Sequence, residues 1–165
     1  MPPSRDARSR AREAALQILY QWEIGQTDVD RAADTFFTHQ WPDAPPPDAL
    51  RQFASALAHD TVARLDAIDP LIADTTERWR PERMAVLDRL ILRMAVCELM
   101  RDPETPRAVV INEALELART FSGDDSVKFV NGMLDAIRKK LEVTADPHGR
   151  ATAKDTKNTK DTKTS

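Results

Sequence analysis

Apolar positions recur at three- and four-residue steps through almost the whole chain to about residue 142, and strand-type alternation is absent, which predicts an all-helical fold. The first helix is expected from about Arg5 to Ile24. Ala11, Ala15, Ile18, Leu19 and Trp22 form its main stripe, with Leu16 and Tyr20 on the opposite side and Gly25 as a left-handed C-cap. Asp28 then caps a second helix carrying Ala32, Ala33, Phe36 and Phe37 toward Trp41. The proline-rich WPDAPPPD run (41–48) reads as a stiff connector, and Asp48 as the cap of a third helix with Leu50, Phe53, Ala54, Leu57, Leu65 and Ile68. Asp69-Pro70 is expected to open a fourth, shorter helix through Leu71, Ile72, Thr75 and Trp79.

The stretch at about 82–101 is apolar on more than one face, from Met84, Val86 and Leu87 to Val96 and Leu99, as in a central element with neighbours on several sides. Thr105-Pro106 begins the next helix, which stops at Ser122-Gly123. Asp124 or Asp125 caps the last one, with Val130, Met133, Leu134, Ile137 and Leu141 on one stripe. Gly132 inside that helix costs roughly 1 kcal/mol relative to Ala, so a close approach to its backbone, by a crossing helix before a ligand, is expected. About seven helices in two three-helix-type subdomains, packed as one compact unit, follow from this pattern. Residues 1–142 form that helical domain. Residues 143–165 end in KDTKNTKDTKTS, with no apolar side chain to offset chain entropy, and read as a disordered Lys/Thr-rich tail.

Composition narrows the function. With 165 residues, 24 Lys+Arg and 27 Asp+Glu, the net charge of −3 excludes a cationic surface over the whole chain. The distribution is uneven, however. Residues 1–13 hold four Arg against two acids, residues 14–142 hold 15 basic and 22 acidic side chains, and residues 143–165 hold five and three. An acidic body is flanked by two basic ends. One Cys, Cys97, excludes a disulfide scaffold and a zinc ribbon. No apolar run approaches the ~20 residues of a membrane span. The N-terminus lacks the apolar core of a secretory signal, so the expected compartment is the cytoplasm.

No catalytic constellation stands out. His39, His59 and His148 lack partners at metal-ligand spacing, and Glu113 and Glu116 lack the ExxH pattern of di-iron bundles. The four glycines are isolated rather than gathered in a phosphate loop. The chain is therefore expected to be no enzyme and to need no cofactor or metal.

Two stretches remain that suit binding. Arg5, Arg8 and Arg12 lie within about 60° on a helical projection, with Arg10 projecting elsewhere, and such a ridge can meet successive phosphates. A solvated terminus is the plainer reading. In FSGDDSVKFVNGMLD (121–135), Phe129 lies about 100° and Lys128 about 160° from the core stripe. Phe129 is either an edge-of-bundle residue or a base-stacking platform.

The segments ARSRAREAALQILYQWE (7–23), LILRMAVCELM (90–100) and VVINEALELARTFSGDDSVKFVNGMLDAI (109–137) closely resemble the NusB family of transcription antitermination factors, in the family's order and spacing over roughly residues 5–142. WPDAPPPD and the Lys/Thr tail have no counterpart in it. The resemblance implies an all-helical protein that binds single-stranded boxA RNA of nascent ribosomal RNA transcripts together with ribosomal protein S10 (NusE). The pair would join RNA polymerase and other Nus factors. It implies RNA contacts from Arg8, Arg10 and Arg12, with Ser9 interrupting the basic run, and from Asp125, Lys128 and Phe129. Asp88 and Arg89 are the expected S10 contacts. Family members occur as monomers and as dimers, so a homodimer stays open, and there is no membrane partner. The alternative is a helical protein–protein interaction module whose basic ends only solubilise it. A fused RNA methyltransferase would require a catalytic α/β domain that residues 143–165 do not supply.

Overall fold

The computed structural model describes residues 5–41, 45–76 and 83–145. Among these are seven α-helices and no strand: α1 (Arg5–Gly25), α2 (Val29–Thr35), α3 (Asp48–Ala63), α4 (Leu65–Thr75), α5 (Val86–Arg101), α6 (Arg107–Phe121) and α7 (Asp124–Ala145). α1, α2 and α3 pack mutually as one unit and α5, α6 and α7 as another. α4 leans on α5 and α7, and α1 and α3 reach across to α5. A single apolar cluster runs through both units, from Ala11 and Leu19 through Leu57 and Ile91 to Leu134 and Ile137. The expected all-helical, two-unit architecture is therefore what the chain forms. Trp79, the side chain of Arg5 and the tail from residue 146 lie outside the described part, while residues 143–145 extend α7.

Several boundaries differ from the sequence reading, each for a local reason. The left-handed residue after α1 is Gln26 (φ 51°), because the helix continues through Gly25. Leu16 is buried although it lies off the main stripe, since α1 is flanked by α2 and α3 on one side and by α5 and α6 on the other. Asp28 does cap α2, its carboxylate accepting the N–H of Arg31 at 3.2 Å. Asp48 instead lies inside the first turn of α3 behind Pro47. The third predicted helix is broken at Arg64, so Asp69-Pro70 falls inside α4. The carboxylate of Asp69 is held by both ends of the Arg93 guanidinium at 2.9 Å and caps nothing. Asp102 shapes the α5–α6 turn, accepting the N–H groups of Glu104 and Thr105 and the Thr105 hydroxyl. Partial burial opposes ionisation of Asp102, but those hydrogen bonds outweigh it and hold the carboxyl below the usual range.

Backbone hydrogen bonds close the C-terminus of α6 just ahead of α7. Gly123 adopts φ +144°, which few other residues tolerate, and its N–H and that of Ser122 both return to the Ala118 carbonyl. Asp124 and Asp125 follow in the first turn, where their charge opposes the positive end of the helix dipole. Gly132 departs from expectation altogether. It is exposed, and a Cβ built there meets nothing within 4 Å, so no helix crosses it. Gly132→Ala should accordingly raise stability by up to about 1 kcal/mol, read as a higher urea midpoint at unchanged slope. A lower midpoint would mean that the glycine is needed for packing.

Candidate nucleic-acid interface

The start of α1 is fixed by a buried ion pair. Arg12 and Glu98 are 2% and 3% exposed, deep enough for the charges to be lost from water, and they meet bidentately at 2.9 and 2.7 Å. Glu113 lies 3.9 Å from the same guanidinium and also accepts the Ser9 hydroxyl at 2.7 Å. Burial works against the Arg12 charge. The hydrogen bonds and charge of Glu98, with Glu113 and Asp102 behind them, outweigh it and raise the guanidinium above its ordinary range. α1 is thereby tied to both α5 and α6.

This arrangement corrects the exposed ridge expected of Arg5, Arg8 and Arg12. Arg12 turns inward because two carboxylates of the other unit wait for it, and Ser9 turns with it. The outward side belongs to Arg10, which is exposed and stacks over the Trp41 indole at 5.0 Å. Arg8 is half-buried over the Phe53 ring at 5.5 Å, and Arg12 stacks on the same ring at 5.3 Å. The Nε of Arg8 is buried without a hydrogen-bond partner among the described residues. The arginine end is thus backed by aromatic side chains, with Arg10 the exposed member of the set.

A second set of expected residues gathers at the other end of α5. Asp88, Asp125, Ser126 and Phe129 line one open pocket of about 260 Å³ with Met84 and Ala85. Asp88 and Phe129 are half-buried, Asp125 and Lys128 exposed, and Phe129 packs against the edge of the core. One carboxylate oxygen of Asp88 is buried with no hydrogen-bond partner among the described residues. Residues assigned by the resemblance to RNA and to S10 therefore share a pocket. Arg89 does not join them. It is 9% exposed and committed to Glu23 of α1 and the Met84 carbonyl, because it points to the core side of α5. Asp88 and Glu98 are ten positions apart, so the pocket and the arginine anchor are separated by roughly 15 Å along α5.

The sequence reading missed the ion pairs of α5. Besides Arg89 and Glu98, Arg93 binds Asp69 and Arg101 binds Asp60. Their signal was present, since charged residues in a helix apolar on every side must find partners. Trp41 was missed as well, although residues 36–53 hold four of the nine aromatic side chains in an aromatic-poor chain. Cys97 is fully buried, and burial raises its thiol pKa. Among the described residues, no three His, Cys, Asp or Glu side chains are grouped to hold a metal, and no helix is long and apolar enough to cross a membrane.

Fold and site together define an all-helical, ion-paired double bundle with an arginine end backed by aromatic rings. A sequence model of the NusB family matches residues 9–139. The transcription antitermination protein NusB of Koribacter versatilis (strain Ellin345) is 44% identical over 135 residues, covering 82% of this chain and 90% of that protein. T. maritima NusB superposes with a TM-score of 0.74 at 31% identity, over 84% of this chain and 93% of that one. A NusB solved with NusE and double-stranded RNA shares the fold at a TM-score of 0.71 and 24% identity, over 83% and 99% of the two chains. The chain belongs to the NusB family of transcription antitermination proteins.

The buried pair makes a specific stability prediction. Arg12→Met alone strands Glu98 in the core and should cost about 3–5 kcal/mol, whereas Arg12→Met with Glu98→Met should recover most of that loss. Denaturant titration of the two variants decides it, and equal losses in both would contradict the pairing.

Proposed function

We propose that this chain acts in the cytoplasm as an antitermination factor that binds boxA RNA of nascent ribosomal RNA transcripts together with ribosomal protein S10 and joins the elongating RNA polymerase with other Nus factors. The observation that carries the RNA reading is the arginine end. Arg10 is exposed and Arg8 half-buried, both are laid over aromatic rings, and both are held in place by the inward Arg12. Arg12 serves RNA by positioning its neighbours, not by touching phosphate.

Arginines anchor the strand through phosphates, while sequence is read on unstacked bases. Lys128, Asp125 and Phe129 supply a second RNA-facing group at the start of α7. The S10 reading draws on Asp88 in the neighbouring pocket, on Met84 and Phe129 as its apolar lining, and on the acidic body, which suits a basic ribosomal protein. RNA running from the arginine end to the Lys128 group would meet S10 at the pocket they share, and the joint assembly would be tighter than either pair alone, because the second contact forms at high effective concentration. The chemistry is binding, with no catalytic step assigned.

A gel shift with a single-stranded boxA-like oligonucleotide, at two salt concentrations and with and without S10, tests this. S10 should tighten RNA binding, and Arg8→Ala and Arg10→Ala should each lower the salt slope by about 0.7. No enhancement by S10 would sink the reading. Binding of S10 without any salt-dependent RNA binding would instead favour the protein-interaction module.

A further inference from the structure

The proline-rich connector has no role in the function proposed so far, yet its first residue is built into the arginine end. A π-helical turn at Phe36–Gln40 follows α2, and the Trp41 N–H closes it on the Phe36 carbonyl at 3.1 Å. The wide turn sends Phe36 and Phe37 both inward and delivers Trp41 half-buried on top of them. The rings support one another, with centroids 5.1 Å apart for Phe36–Phe37, 6.4 Å for Phe36–Trp41 and 5.7 Å for Phe37–Trp41. Arg10 lies on the indole, and Arg51 on Phe37 at 5.5 Å.

Arg10 thus differs from an ordinary surface arginine. Among the carboxylates from Glu13 onward whose side chains the structure describes, none pairs with it, and it lies over an indole that packs on the core. A guanidinium backed by an indole on one side has its other side open to a planar, electron-rich partner and its N–H groups to an anion. A single-stranded nucleotide supplies both, a base for the face and a phosphate for the edge. A structural cation–π pair at an exposed site would stabilise the fold by only about 0.5–1 kcal/mol, which leaves the placement of Arg10 over the indole weakly explained by folding alone.

We propose that Trp41 and Arg10 form a base-stacking shelf, in which an unpaired RNA base lies on the outer face of the Arg10 guanidinium while Trp41 beneath holds that plane. This rests on the RNA-binding reading and extends its track from α1 onto the connector. Trp41 is a positioning residue, and Arg10 touches the RNA.

The test uses the full chain and the same single-stranded RNA, with abasic nucleotides placed one at a time along the oligonucleotide. In the wild-type protein one abasic position should weaken binding by about tenfold. Trp41→Leu should weaken the intact RNA by a similar factor, leave the salt slope unchanged and lose sensitivity to that abasic position, while Trp41→Phe retains it. Arg10→Lys, at an exposed position that does not threaten folding, keeps the charge and should also keep the slope and lose the abasic sensitivity. Equal abasic penalties in wild type, Trp41→Leu and Arg10→Lys would overturn the shelf and leave RNA binding standing. Absence of salt-dependent RNA binding by the wild type would overturn both.

Discussion

Arg12 and Glu98 come from opposite halves of the molecule, 86 positions apart in the chain, and meet with almost no water around them. Two charges removed from water are tolerated only when their geometry is good and their remaining hydrogen-bonding groups have partners. Here the guanidinium is gripped at both Nε and Nη2, and Glu113 stands behind it. The consequence reaches beyond stability. With Arg12 fixed, the helical period dictates where Arg8 and Arg10 point, one over Phe53 and the other over Trp41. A basic segment that could have been a solvated end becomes a docked surface.

α5 repeats this logic along its length. It is the most deeply buried of the described helices and carries Arg89, Arg93, Glu98 and Arg101, which pair with side chains of α1, α3 and α4. Arg89 and Arg93 share Glu23 of α1, Arg93 also holds Asp69 of α4, and Arg101 holds Asp60 of α3. Apolar packing alone is forgiving of small rotations, whereas bidentate pairs are directional. The two bidentate pairs, Arg12–Glu98 and Arg93–Asp69, therefore fix the rotation of α1 and α4 about α5. They also leave its two ends for different work: aromatic-backed arginines at one, and the Asp88–Phe129 pocket at the other.

The helical pattern was legible because periodicity and breakers are local. All seven helices were anticipated, and Asp28 capped where its type and place predicted. What was not legible depended on partners distant in the chain. Asp69 before Pro70 has the look of a cap, and only the arrival of Arg93 makes it a salt-bridge acceptor. Arg12 and Arg10 exchanged roles because projecting one helix says which residues share a face, not which face is covered. Arg89, adjacent to Asp88, fell on the buried side for the same reason. Gly132 shows the converse error, in which a tertiary cause was assumed for a residue that no neighbour approaches.

The central claim is the division of labour among the arginines, Arg12 holding the helix and Arg10 and Arg8 facing the ligand. It is read most directly from the arginine Nε–H resonances of isotope-labelled protein during titration with single-stranded RNA. The account predicts a slowly exchanging Arg12 signal that stays in place throughout, with the Arg10 and Arg8 signals moving as RNA is added. An Arg12 signal that exchanges rapidly with water, or moves with the RNA as much as that of Arg10, would contradict it.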